Sequence, residues 1–176
     1  ARVVNLSLGD PAFILTSLLG TDMRPGIDYA WEHGAIVVLA SGNSNMLGLG
    51  IGSSNYGDLN ALVVGAVGPD GTESSYSSPT GNAKWGILAP GGSGDGGAEN
   101  DIWSTFWATG ASNSYAALAG TSMAAPHVAG AAALLLAAGY TPEQTVARLL
   151  ATADPVGDCA GASCLGRLDV ARATGA

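Results

Sequence analysis

Residues 35–43, AIVVLASGN, run from an unbroken apolar stretch into a short polar turn. A strand with one face in water alternates apolar and polar side chains, and this stretch does not. Ile36, Val37 and Val38 inside a continuous apolar run predict a strand covered on both faces. Val3 to Leu8, Ala61 to Val67 and Trp85 to Ala89 read the same way. Strands of this kind belong to a parallel sheet between two helix layers, so the expected class is α/β, three-layered, with helices on both faces.

The intervening segments fit that class. Ile27, Ala30 and Trp31 recur at helical spacing between Gly26 and His33, and Gly34 stands where a helix C-cap belongs. Val3 to Ala40 is therefore expected to be a βαβ unit. Thr141-Pro142-Glu143-Gln144 opens a further helix, with a capping Thr, Pro in the first turn and an acid near the positive end of the dipole. Val146, Leu149 and Leu150 give that helix its apolar stripe. Gly91 to Gly97 and the Ser-containing stretch around Asn113 read as loops too short to link domains, and no repeat is visible.

The chain has 176 residues, 47% of them hydrophobic and only 11% charged, which predicts one globular domain. Fourteen acids against six bases, a formal charge of -8, argue against non-specific nucleic-acid binding, which needs clustered Lys and Arg. The longest apolar stretch, Ala129 to Ala138, contains Gly130 and falls short of the roughly 20 residues a bilayer crossing takes. Ala1-Arg2 leads straight into a strand-like VVNLSL, so no signal peptide is visible and the chain reads as starting inside a fold. Cys159 and Cys164 enclose AGAS; a local disulfide is the favoured reading, two reduced thiols the alternative, and no nearby ligand set suggests a metal.

GTSMAAPHVAG, residues 120–130, carries the chemistry. A serine becomes nucleophilic when a base takes its proton and donors hold the oxyanion that forms. Gly120 permits a turn, Thr121 is expected to cap it, and Ser122 then lies at a helix start, where unpaired N–H groups point outward. His127 is a poor base: five residues along a helix rotate the side chains about 140° apart and separate them by roughly 7.5 Å. It is expected to be a hydrogen-bonded core histidine. Pro126 lacks the N–H that would have bonded the Ser122 carbonyl. His33 reads as a helix end, not a base. Asn43 closes Ser41-Gly42-Asn43 at the carboxyl end of a buried strand, the edge where ligands sit, and its amide can donate to an oxyanion.

Together these stretches resemble the subtilisin-like serine peptidases, the subtilases. GTSMAAPHVAG is similar to that family's signature around its nucleophile, VVNLSLG to the strand bordering the cleft, and VVLASGN to the strand ending in the oxyanion asparagine. ALVVGAV, YSSPTG, ILAPGG and LGRLDVARA also follow in the family's order. The resemblance implies Ser122 as nucleophile and Asn43 as oxyanion donor, with the Ser122 N–H as second donor, aided by Thr121. Ser7-Leu8-Gly9 and Ala40-Ser41-Gly42 would form the two walls of the pocket before the scissile bond. Sedolisins share a similar serine motif but use an acidic oxyanion residue, so Asn43 favours subtilases.

The family's Asp-Thr-Gly-like and His-Gly-Thr-like motifs are absent from residues 1–176. The chain therefore resembles the C-terminal half of one catalytic domain, and alone it is expected to be inactive. The parent reading is a secreted serine endopeptidase acting on polypeptides, with no membrane span, and the N-terminal half of the same domain as partner. The alternatives are a non-catalytic binding or assembly module and a peptide ligase or macrocyclase using the same serine. No cofactor is required; calcium is common in the family, and Asp95, Glu99 and Asp101 are the loop acids that could contribute to a structural site.

Overall fold

The computed structural model describes residues 1–8, 23–43, 56–156 and 166–176, with backbone alone at 111–113. Gly9, Cys159 and Cys164 lie outside the described residues. Strands β1 (Val3–Leu6), β2 (Ile36–Ala40), β3 (Ala61–Val67) and β4 (Gly86–Pro90) pair in parallel in that order. Helix α1 (Arg24–Glu32) precedes β2. The hairpin β5 (Ile102–Ala108) and β6 (Ala111–Leu118) forms a separate two-stranded sheet, followed by α2 (Thr121–Ala137) and α3 (Pro142–Thr152). Short strands β7 (Asp154–Pro155) and β8 (Gly166–Arg167) extend the main sheet beyond β4, and α4 (Val170–Thr174) follows them.

All five residues of β2 and all seven of β3 are buried, as strands lacking polar alternation require. Ile36, Val38 and Ala40 of β2 pack with Leu62, Val64 and Ala66 of β3 against α2 and α3. The intervening Val37, Leu39 and Val63 face the other way, with Ile27 of α1, Tyr56 and Leu59. The sheet thus carries helices on both faces, as read from the sequence. The alanines of α2, among them Ala124, Ala125, Ala131 and Ala132, are buried against the sheet. Their small side chains let the helix backbone come close to the strands.

α1 ends one residue earlier than read: His33, not Gly34, is the C-cap, and Gly34, at φ +77°, takes the left-handed conformation that leads the chain into β2. At α3 the Thr141 hydroxyl accepts from the Gln144 N–H and the Gln144 side chain accepts from the Thr141 N–H, a complete capping box.

Three further expectations need correction. β1 stops at Leu6, so Ser7 and Leu8 lie beyond the strand pairing. β4 is shifted one residue toward the C-terminus, because Trp85 packs at the margin of the core while Pro90 still holds register with Val67. The stretch around Asn113 is strand β6, not a loop. Most of β5 is exposed on both faces, so no apolar alternation marks it. The usable cue was Thr109-Gly110, a two-residue turn with Gly110 at φ +82°.

Candidate active site

The carboxyl ends of β1 and β2 meet the N-terminus of α2. Gly120, and not Thr121, is the N-cap, at φ +157°, and no side chain caps the helix. A Cβ on Gly120 would stand 3.1 Å from Asn43 Nδ2, so glycine lets the two segments approach. Thr121 is the first helical residue, and its buried hydroxyl ties the segments together. Thr121 Oγ1 accepts from the Gly42 N–H at 3.1 Å and donates to Asn43 Oδ1 at 2.9 Å, while the Thr121 N–H donates to the same oxygen at 3.0 Å. The Asn43 carbonyl oxygen is thereby held by two donors, and the amide nitrogen is the end left to donate outward. Among the described residues the Ser122 N–H has no acceptor. An orphan N–H at a helix start beside a fixed amide is what an oxyanion requires.

Pro126 sits inside α2 and withholds the donor that Ser122's carbonyl would otherwise receive. Ser7 fills that role: its Oγ donates to the Ser122 carbonyl at 2.8 Å, and Asn5 Nδ2 in turn donates to Ser7 Oγ at 2.9 Å. The sequence signalled the orphan carbonyl but not its partner.

Of the other pocket-wall residues, Leu8 is 46% exposed, whereas Ala40 and Ser41 are buried. Ser41 Oγ donates to the Ser78 carbonyl at 2.7 Å, so this side chain braces the turn from behind and any wall here is made by backbone. The Ser78 N–H donates to the Gly42 carbonyl at 2.9 Å and the Tyr56 hydroxyl to the Ser41 carbonyl at 3.2 Å. A second brace lies below the helix start. The Gly120 N–H donates to the Gly91 carbonyl at 2.8 Å, and the Tyr76 hydroxyl lies 2.7 and 2.8 Å from the carbonyls of Gly91 and Gly92. Burial holds the Tyr76 phenol above its ordinary range, so it stays protonated and donates. Sequence reading missed Tyr76 and Ser78, whose only signal was their place in YSSPTG.

A groove of about 300 Å³ runs along Ser122, lined by Ile102, Trp103, Ser104, Met123, Pro126 and His127. His127 is exposed and not a core residue; its Nδ1 lies 2.9 Å from the Met123 carbonyl, one turn back. No hydrogen bond joins Ser122 to His127 or His33. His33 Nδ1 lies 2.7 Å from the Tyr29 carbonyl and its ring stacks on Tyr29 at the far end of α1.

The loop acids are engaged locally. Asp95 accepts from the Gly97 N–H at 2.9 Å, which with a further bond from Asn100 Nδ2 at 3.1 Å holds its carboxyl below the usual range. Asp101 accepts from the Gly94 N–H at 3.1 Å. No group of three or more His, Cys, Asp or Glu among the described residues is arranged to hold a metal ion. No described helix is long and apolar enough to cross a membrane.

A family profile described as the subtilase family matches residues 1–175. The chain is 38% identical over 160 residues to subtilisin DY of Bacillus licheniformis, covering 89% of this chain and 51% of that protein. It is 33% identical over 158 residues to thermitase of Thermoactinomyces vulgaris, covering 89% and 48% respectively. Among solved structures, a protease of Pseudoalteromonas arctica superposes with a TM-score of 0.71 at 30% identity, covering 99% of this chain and 51% of that one. The patellamide maturation protease PatA superposes at 0.67 and 28% identity, covering 99% and 62%. The chain spans about half the length of the relatives it matches. Fold, order of elements and matched length agree: the chain belongs to the subtilase family.

Proposed function

We propose that residues 1–176 are the C-terminal part of the catalytic domain of a secreted serine endopeptidase, with Ser122 as nucleophile. The observation that carries this is the clamp of Thr121 on Asn43 Oδ1, which aims an amide donor beside a Ser122 N–H without an acceptor. Ser122 Oγ attacks the peptide carbonyl carbon as a base takes its proton. The oxyanion is held by Asn43 Nδ2 and the Ser122 N–H. The C–N bond then breaks, the amine leaves with the proton from the base, and water repeats the sequence to release the acid. No metal or cofactor enters these steps; a structural calcium site involving other segments is compatible with them.

The base and the carboxylate that orients it come from polypeptide outside residues 1–176, the N-terminal half of the same domain. Two surfaces support this. The outer edge of β1 is unpaired among the described residues, although Val3 and Val4 pack on the core. α2 is apolar on all sides, yet Pro126, His127, Gly130, Ala133, Leu134 and Ala137 form an exposed stripe. A helix apolar all round is ordinarily buried all round, and an open apolar strand edge invites pairing.

The test is hydrolysis of a peptide p-nitroanilide by the full-length protein. Ser122→Ala should abolish turnover, and Asn43→Ala should lower kcat with KM little changed. Turnover by Ser122→Ala at the wild-type rate would rule the assignment out, and a folded full-length protein without turnover would favour a binding module. The same serine and oxyanion donors would also serve a second reading, transfer of the acyl group to an amine in place of water. Product masses with an amine-bearing peptide separate ligation from hydrolysis.

A further inference from the structure

The β5–β6 hairpin gathers unusual exposed apolar surface. Trp103, Phe106, Trp107 and Tyr115 are 61%, 43%, 78% and 68% exposed, and Leu118 is 42% exposed. Contiguous exposed aromatics mark contact surfaces, because water contact forfeits the burial free energy of large side chains. The register sorts them. Trp103 opposite Ala117 and Thr105 opposite Tyr115 place Trp103 and Tyr115 on one face, while Phe106 and Leu118 share the other. Thr105, Phe106, Trp107, Ser114 and Tyr115 line a cavity of about 470 Å³ toward the turn.

This surface is continuous with the site. Ile102, Trp103 and Ser104, at the base of the hairpin, line the groove along Ser122. β6 closes at Leu118, and Ala119-Gly120-Thr121 lead directly to Ser122. The other side of Ser122 is taken by the strand ends: Ser7 holds its carbonyl, and Gly42 and Asn43 hold Thr121. A peptide whose acyl side lies against Ser7 and Gly42 therefore leaves past Ser122 toward the hairpin. Among the described residues the hairpin is a sheet of two strands, so each strand has an open edge where an extended peptide can add main-chain hydrogen bonds.

We propose that the β5–β6 hairpin binds the leaving-group side of a peptide substrate and selects bulky apolar residues there. Ser104 to Trp107 spans roughly 10 Å at about 3.3 Å per strand residue, the length of about three extended substrate residues. Trp107 and Tyr115 supply apolar contact, and Thr105, opposite Tyr115, supplies a polar group on the same face, while the Ser114 hydroxyl donates to the Phe106 carbonyl on the other. This rests on the acyl-transfer reading of Ser122.

The test uses the full-length protein and three substrates with one acyl part. One ends in p-nitroaniline, one continues with Leu-Phe-Leu, and one continues with Gly-Ser-Gly. Wild type should favour the apolar continuation by about tenfold in kcat/KM, the scale of two aromatic contacts. Trp107→Ser with Tyr115→Ser should remove that preference and leave p-nitroanilide turnover unchanged. Trp107→Phe with Tyr115→Phe should keep it. A preference that survives the serine variant overturns the proposal. So does an equal loss on all three substrates, or a lowered melting temperature, since either would show that the aromatics are covered by the rest of the protein. Absence of p-nitroanilide turnover by wild type would instead remove the acyl-transfer reading, and this inference with it.

Discussion

Pro126 and Ser7 act on one carbonyl, and their coupling can be measured. Ser7→Ala removes the hydroxyl that donates to the Ser122 carbonyl at 2.8 Å. Because Pro126 cannot donate, that carbonyl is left without a protein partner. The contact is partly buried, so water compensates in part, and the loss should be about 1 kcal/mol, within the usual range for one hydrogen bond. In a Pro126→Ala background the backbone N–H gained at that position can close the helical bond to the Ser122 carbonyl. Ser7→Ala should then cost only a few tenths of a kcal/mol, a coupling energy of about 0.7 to 1 kcal/mol, within the range for residues sharing a partner. Urea unfolding of wild type, both single variants and the double variant gives the four corners of the cycle. Equal costs of Ser7→Ala in the two backgrounds would refute the idea that Ser7 substitutes for the donor Pro126 withholds.

Thr121→Val keeps the shape but orphans the Gly42 N–H and loosens Asn43; a stability loss of about 1–3 kcal/mol by chemical denaturation is expected, with Thr121→Ser close to wild type. Leu149→Ala, at a fully buried position of α3, should cost about 2–5 kcal/mol in the same assay. Partial desolvation raises the Glu73 carboxyl above its ordinary value although the residue as a whole is exposed, with a hydrogen bond to Ser77 acting the other way, so the effect on stability is small. The folded state therefore holds that proton more tightly than the unfolded chain, and stability is lost as pH rises through and above the ordinary Glu range. Glu73→Gln should raise the melting temperature at neutral pH, and the gain should vanish in acid, where Glu73 is protonated in both states. Leu134→Arg, on the exposed stripe of α2, should abolish association of residues 1–176 with a separately expressed N-terminal half, measured by co-purification.

Features that depend on near neighbours in sequence were the legible ones. The buried strand at Ile36–Ala40 declared itself by unbroken apolar residues, the α1 end by Gly34, and the α3 start by Thr141-Pro142. Ser122 and Asn43 were readable because each sits at a local punctuation, a glycine turn or a strand end, and the fold brings them onto Thr121. What joins them was not readable. The Ser7–Ser122 bond spans 115 residues, and the turn of Ser41 is braced by Ser78, 37 residues on, contacts that no local pattern announces. The apolar neighbours of His127 suggest a core position; α2 instead turns that side outward. The hairpin escaped because solvated strands need no alternation, leaving only Thr109-Gly110 to mark it.

Whether Ser122 is a nucleophile whose base lies elsewhere in the protein is tested most directly by covalent labelling. A fluorophosphonate, followed by mass mapping, should place one adduct on Ser122 in the full-length protein and none on residues 1–176 expressed alone. Equal labelling of the isolated segment, or an adduct on another serine in a folded full-length protein, would contradict it.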